Sequence, residues 1–140
     1  MTSIRRLEFL AVAFIVVTAA YAEPLHVFLT YSGAPETSID INVLTPNKVA
    51  AVDLYYDTEP RGGDVKAYKH RVTATYIQTT MELSDRRALY VAALKELKPG
   101  TVYYFVAGEA KYGMSKERKF RTLPGGNLPF RFIDGGDMGP

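Results

Sequence analysis

Hydrophobic and polar residues alternate with a period of two along much of the chain after residue 23. Ile39, Ile41 and Val43 fall on one face of such a segment, and Asp40 and Asn42 fall on the other. Side chains of a strand point alternately to its two faces, so this pattern is typical of a half-buried β-strand. The helical spacing of apolar residues is not well sustained anywhere after residue 23. The pattern therefore predicts a β protein.

Turn residues rich in Gly, Pro, Asn and Asp divide this region into six or seven short strands. The predicted strands span residues 26–31, 38–44, 50–56, 65–80 (as one strand or two short edge strands), 87–94, 101–108 and 117–122. Short strands separated by turns every 8 to 12 residues or so are typical of a β-sandwich. The fold class expected is therefore all-β.

A nine-residue segment carries the strongest fold signal. Leu97 is followed by Pro99 and Gly100, which turn the chain, and Tyr103 comes early in the next strand. In sandwich domains a tyrosine at this place sends its hydroxyl back to the backbone of the turn, as a tyrosine corner. The alternative is an ordinary hairpin with a Pro-Gly turn.

The first 22 residues have the pattern of a secretory signal peptide. Arg5 and Arg6 precede an apolar run over residues 9–22, interrupted by Thr18 and ending in Ala20-Tyr21-Ala22. This run is shorter than the roughly 20 residues that a membrane-spanning helix needs, and its small residues suit a cleavage site. We expect cleavage after Ala22, secretion and no stable membrane span. An uncleaved signal anchor is the alternative.

Composition excludes several classes of function. The chain has no cysteine, which rules out disulfide scaffolds and thiolate chemistry. With 17 basic and 15 acidic residues it lacks the basic excess of a nucleic-acid-binding domain. Its two histidines, His26 and His70, are too few for a self-contained zinc site and are interpreted as ordinary strand residues. Composition therefore argues against a complete enzyme.

Candidate chemistry is confined to the last residues of the sequence. An apolar run over residues 130–133 leads into Gly136-Asp137-Met138-Gly139. The glycines let the backbone bend sharply beside the aspartate, and hard metal ions accept a carboxylate oxygen as ligand. Without further context, Gly-Asp-x-Gly is a common turn.

Four segments, taken in order, resemble the N-terminal fibronectin type III-like domain of the purple acid phosphatases. They are Pro24-Leu25-His26-Val27, the run from Leu94 through Leu97-Lys98-Pro99-Gly100-Thr101 to Tyr103 and Phe105, Gly113-Met114-Ser115, and Phe120-Arg121-Thr122-Leu123-Pro124. The resemblance implies an immunoglobulin-like sandwich over residues 23–124. Residues 125–140 would be a linker and the first strand of a truncated α/β metallophosphoesterase domain.

The same resemblance implies a role for Asp137. Gly136-Asp137-Met138-Gly139 resembles the first metal-ligand motif of the metallophosphoesterases, in which the aspartate binds the ferric ion of a two-metal centre. The second metal would be iron, zinc or manganese, and the substrate a phosphomonoester. Two departures stand out: Asp134 replaces a hydrophobic or small residue, and Val43 replaces a tryptophan. Aromatic bulk for the core would come from other residues, namely Tyr56, Tyr90, Tyr103 and Phe105.

The later metal-ligand motifs of that family do not occur in the sequence. We therefore expect the 140-residue chain to be the front of a longer acid phosphatase, inactive and without bound metal by itself, whose first partner is the catalytic domain in cis. A secreted, non-catalytic binding module is the alternative. The residues encoded after Pro140 would separate the two.

Overall fold

The computed structural model describes residues 24–77, 86–109 and 113–131, which contain strands and no helix. The strands are β1 (His26–Thr30), β2 (Ile39–Thr45), β3 (Asp53–Asp57), β4 (His70–Thr73), β5 (Thr75–Ile77), β6 (Ala88–Leu94), β7 (Val102–Glu109), β8 (Gly113–Met114) and β9 (Arg118–Arg121). Residues 1–22, interpreted as a signal peptide, lie outside the described residues. In the part that is described, no helix is long and apolar enough to cross a membrane.

The strands form two antiparallel sheets that pack as a sandwich. The first sheet has the order β1-β2-β6-β5, and the second has the order β4-β3-β7-β8, with β9 also paired to β7. Most of the predicted strands agree with these elements to within one to three residues at each end. The expectation of an all-β sandwich is confirmed.

The segment predicted as a strand over residues 65–80 differs from the prediction in part. β4 and β5 are short edge strands, as one alternative had it, but they lie in different sheets, and the chain crosses between them at the buried Ala74. Residues 65–67 form a turn instead of a strand. Asp64 explains the turn, because its side chain accepts a hydrogen bond from the amide of Lys66 and its carbonyl accepts one from Ala67.

The sequence predicts a strand that ends at Gly108 and does not predict the pairing of β7 with β8. Gly108 instead lies within β7, opposite Met114 of β8. A Cβ atom at this position would stand 2.3 Å from the carbonyl oxygen of Gly113. Only glycine allows the two backbones to approach so closely.

The core lies between the inward faces that the alternating pattern predicted. From the first sheet, Ile39, Ile41 and Val43 of β2 lie in the core beside their cross-strand neighbours on β6, Leu94, Ala92 and Tyr90. From the second sheet come Leu54, Tyr103, Phe105 and Phe120.

Tyr56, also expected in the core, is only partly buried and packs against its margin. Phe120, whose ring stacks on Tyr103 at 5.4 Å, supplies aromatic bulk that the sequence did not single out.

The tyrosine corner is confirmed. The Tyr103 hydroxyl accepts a hydrogen bond from the backbone amide of Lys98 at 2.9 Å. Gly100 adopts the left-handed conformation that the turn requires, with φ of 63°. Thr122, just after β9, extends the corner: its hydroxyl donates to the carbonyl of Lys98 at 2.7 Å and accepts from the amide of Thr101 at 2.9 Å. The corner therefore fastens the end of β9 to the turn before β7.

Candidate functional site

The predicted metal ligand Asp137 and its neighbour Asp134 lie outside the described residues. Within the described residues, no group of three or more His, Asp or Glu side chains could hold a metal ion. His26 is exposed on β1 of the first sheet, whereas His70 is exposed on β4 of the second and stacks on Tyr56 with ring centroids 4.8 Å apart. The two histidines therefore do not form a common site.

The most buried ionic group of the described residues is Asp57, the last residue of β3. Its side chain is 1% exposed. The Arg61 guanidinium donates two hydrogen bonds to Oδ2, from Nε at 3.0 Å and from an Nη atom at 2.7 Å, and Lys69 Nζ lies 3.7 Å from Oδ1. Burial raises the pKa of Asp57. The hydrogen bonds from Arg61 and Thr58 and the positive charges of Arg61 and Lys69 lower it by more than burial raises it, so the net pKa is below the ordinary value.

Glu117, just before β9, binds the loop that follows Asp57. One of its carboxylate oxygens accepts hydrogen bonds from the amide of Arg61, at 2.6 Å, and from the Tyr68 hydroxyl. Burial raises the pKa of Glu117, yet the hydrogen bonds from Tyr68 and from the amides of residues 61–63 prevail and lower it. Burial and the adjacent Glu117 carboxylate in turn raise the pKa of Tyr68. Glu117 thus fixes the loop between β3 and β4 against the strand β9.

A third acidic group lies on the same side of the second sheet. Asp53 accepts a hydrogen bond from Arg71 at 2.7 Å and one from the Thr73 hydroxyl at 2.8 Å, so it links β3 to β4. Asp53, Asp57 and Glu117 are each held by partners within the sandwich. What this arrangement can do chemically is stabilise, because it holds one loop and two strands together through internal ion pairs and hydrogen bonds.

These pairs were not foreseen from the sequence. Lys69 and Arg71 each lie near a buried aspartate, a pairing that no pattern in the sequence indicates. The spacing of four between Asp57 and Arg61 was an available signal. Glu117 carried none, because 56 residues separate it from Arg61. Three further basic residues, Arg118, Lys119 and Arg121, lie exposed on β9.

The segment after β9 leaves the sandwich at the tyrosine corner. The amide of Leu123 donates to the carbonyl of Pro35, and the carbonyl of Leu123 accepts from Gly100. Beyond it, Leu128 and Phe130 are 64% and 53% exposed. They line a groove of about 580 Å³ together with Gly100 and Arg121. Apolar side chains therefore follow directly on the end of the folded domain.

Comparison with solved structures gives several matches of low sequence identity. The sensor domain of the anti-sigma factor RsgI4 from Pseudobacteroides cellulosolvens is 23% identical, with a TM-score of 0.44, over 77% of this chain and 100% of that one. Astrotactin-2, a vertebrate-specific, perforin-like membrane protein, is 14% identical, with a TM-score of 0.48. The match covers 75% of this chain and 22% of the Astrotactin-2 chain. A search of curated proteins gives no significant match.

The comparison with protein families gives a match that covers the whole sandwich. The family model of the purple acid phosphatase N-terminal domain matches residues 24–122. The match begins two residues before β1 and ends one residue after β9, so its bounds coincide with those of the folded domain. The chain belongs to the purple acid phosphatase N-terminal domain family.

Proposed function

We propose that this chain is the N-terminal part of a secreted, purple-acid-phosphatase-like metallohydrolase that cleaves phosphomonoesters. The observation that carries the proposal is the family match over residues 24–122. The sequence beyond the match supports it, since the exposed Leu128 and Phe130 lead towards Gly136-Asp137-Met138-Gly139. In this proposal residues 1–22 direct secretion, residues 23–124 form the sandwich and residues 125–140 begin the catalytic domain.

Asp137 is the residue that we assign to metal binding. Its carboxylate suits a hard ion such as Fe(III), Zn(II) or Mn(II), and the flanking glycines leave room beside it. When bound, a two-metal centre would supply Lewis-acid stabilisation for attack on the phosphorus. The described residues do not fit such a centre, because they contain no group of three ligating side chains. We therefore assign the sandwich no step in the reaction and place the remaining ligands in the catalytic domain.

The sandwich would act as a rigid support for that domain. Its acidic side chains Asp53, Asp57 and Glu117 are engaged in internal ion pairs and hydrogen bonds. The proposed junction is the groove at Gly100, Arg121 and Phe130, where the chain leaves the tyrosine corner. The catalytic domain in cis is accordingly the first partner of this domain.

Transcript sequencing beyond the codon for Pro140 tests the proposal. We expect it to encode Gly-Asp-x-x-Tyr and Gly-Asn-His, the later ligand motifs that the resemblance implies. A stop codon at this point in the mature transcript would contradict the proposal and favour the alternative of a secreted, non-catalytic binding module.

An activity assay gives a second, independent readout. The purified 140-residue chain should not hydrolyse para-nitrophenyl phosphate at acidic pH, even with iron, zinc or manganese supplied, because Asp137 is its single residue at a family ligand position. Metal-dependent turnover by this chain would show that the assignment of the remaining ligands to another domain is wrong.

A further inference from the structure

A cleft of about 300 Å³, which we call the basic cleft, opens at the end of the sandwich beside the tyrosine corner. Its lining comes from the end of β3, the start of β4, the segment between β6 and β7, and β7 itself. Its carboxylates are those of Asp57 and Glu96. The lining includes hydrogen-bond donors, namely Tyr56, Lys69, His70, Lys95, Lys98 and Tyr103. None of these residues belongs to the groove at Gly100 and Arg121 or to the proposed metal motif.

The aromatic donors of the basic cleft lack an acceptor within the described residues. The Tyr103 hydroxyl accepts a hydrogen bond from the amide of Lys98 but donates none there, although Tyr103 is only 5% exposed. The Tyr56 hydroxyl and the ring of His70, which stacks on Tyr56, donate none there either. Burial and the nearby Tyr103 phenol raise the pKa of Tyr56, so its hydroxyl keeps its proton at neutral pH. Donors without acceptors favour a ligand that brings acceptors.

The charge of Asp57, at the margin of the basic cleft, is already balanced. Its Oδ2 accepts two hydrogen bonds from the Arg61 guanidinium, and its Oδ1 accepts one from the amide of Thr58 at 2.7 Å. Lys69 Nζ lies 3.7 Å from Oδ1, which is beyond ordinary hydrogen-bond distance, so its ammonium protons are available to another acceptor. Arg61 rather than Lys69 therefore neutralises this aspartate, and Lys69 adds a positive charge to the cleft.

The segment between β6 and β7 is bent so that its consecutive residues 95–98 all line the basic cleft. Glu96 has a φ of 58°, and it is the only residue other than glycine with a positive φ in the described part of the chain. Residues with a Cβ rarely adopt this left-handed conformation, and such outliers concentrate at ligand-binding segments. Lys95 and Lys98 form no ion pair among the described residues. Together with Lys69 they outnumber the one unneutralised carboxylate, that of Glu96.

We propose that the basic cleft binds a phosphate group, either free or as the monoester of a small molecule. A phosphate group offers several strong acceptor oxygens to a cleft whose unengaged groups are mainly donors, and lysine ammonium groups are ordinary phosphate ligands. The donors come from four parts of the chain, which suits the diverging oxygens of a tetrahedral anion better than a planar carboxylate. The volume leaves room for the remainder of a small ester such as a sugar phosphate. This site is independent of the proposed metal centre, because its residues all lie within the sandwich.

Isothermal titration calorimetry of the 140-residue chain with inorganic phosphate, glucose 6-phosphate and glucose, at constant ionic strength, tests the proposal. Because the lysines are solvated and screened, we expect both phosphate compounds to bind with dissociation constants on the order of 0.1–1 mM, and glucose not to bind. Tighter binding of glucose 6-phosphate by about tenfold or more would identify the ester as the ligand, whereas equal affinities would identify the phosphate group alone. Absence of binding by both compounds up to about 20 mM would overturn the proposal.

Removing lysines locates the binding site. The double variant Lys95→Gln, Lys98→Gln should weaken phosphate binding at least about tenfold, because it removes two of the three lysine charges that line the basic cleft. The matched control is Lys116→Gln, Lys119→Gln, which removes the same charge from two exposed positions outside the cleft and should change the affinity by less than about twofold. Equal weakening in the two double variants would indicate attraction by overall charge and would overturn the proposal.

Removing a phenol tests the hydrogen bonding without changing the charge. Tyr56→Phe deletes one donor from the basic cleft and keeps the ring that stacks on His70, so it should weaken phosphate binding about fivefold or more. Tyr104→Phe is the control, because Tyr104 does not line the cleft, and it should bind phosphate like the unmodified chain. Circular dichroism establishes that both variants are folded. Equal phosphate affinities for the two variants would show that the phenol does not contact the anion and would overturn the proposed site.

Discussion

The hydroxyl of Tyr103 accepts a hydrogen bond from the backbone amide of Lys98, five residues earlier, at 2.9 Å. This contact closes the turn at Pro99 and Gly100 over the end of the core, where Leu97 is buried. The ring of Tyr103 meanwhile stacks on Phe120 of β9. One side chain therefore joins the turn, the core and the last strand before the chain leaves the domain.

Loss of the Tyr103 hydroxyl should weaken the domain without changing its fold. Tyr103→Phe leaves the amide of Lys98 without this partner and keeps the ring packing, so we expect a loss of about 1 kcal/mol, or a fall of about 4–8 °C in melting temperature for a domain of this size. Circular dichroism during thermal unfolding measures it. Tyr104→Phe is the control, because no hydrogen bond of the Tyr104 hydroxyl occurs among the described residues. Equal melting temperatures for the two variants would disprove the role of the corner.

Acid should destabilise the sandwich through Asp57 and Glu117. The pKa of each is lowered in the folded state from ordinary values of 3.8 and 4.5, so the unfolded chain binds more protons in acid. Their contribution is complete above about pH 5 and is lost as the pH falls below 4.5 through the folded pKa values. Urea unfolding between pH 7 and pH 2 should show this loss.

Neutral variants isolate the contribution of these two carboxylates. Asp57→Asn and Glu117→Gln should each lower the free energy of unfolding at pH 7 by about 1–2 kcal/mol and flatten its decline in acid. Glu59→Gln is the control, since the exposed Glu59 forms a surface pair with Arg61, at 3.3 Å. The Asp57→Asn, Glu117→Gln double variant gives the decisive comparison. If its free energy of unfolding fell in acid as steeply as that of the unmodified chain, these two carboxylates would not be the source of the acid sensitivity.

The predicted signal peptide, residues 1–22, determines where the secreted protein should begin. Cleavage after Ala22 should leave Glu23 as the first residue, because the apolar run over residues 9–22 ends in a small-x-small sequence. N-terminal sequencing of material from the culture medium tests this. Recovery of a secreted protein that still contains residues 9–17 would contradict cleavage after Ala22.

The parts of the fold that the sequence predicted correctly are those governed by short-range patterns. The inward faces of β2 and β6 follow from alternation within seven residues, and the corner at Tyr103 follows from a nine-residue motif. The clamp between Arg61 and Glu117 joins residues 56 positions apart, so no local pattern indicates it. The apolar row on the solvent side of the first sheet likewise emerged only from the register, which sets Leu44 beside Leu89 and Leu89 beside Ile77.

The central claim is that the sandwich belongs to a metallohydrolase in which Asp137 binds metal. The most direct test is to make the Asp137→Ala variant of the enzyme that includes the catalytic domain and to measure its metal content by mass spectrometry. Asp134→Ala is the matched control, a carboxylate three residues earlier at a position where the resemblance implies a hydrophobic or small residue. We predict that Asp137→Ala loses bound iron and about a hundred- to a thousandfold in phosphatase rate, as expected when electrostatic stabilisation of the transition state is removed, whereas Asp134→Ala keeps both. Full metal content and rate in the Asp137→Ala variant would contradict the account.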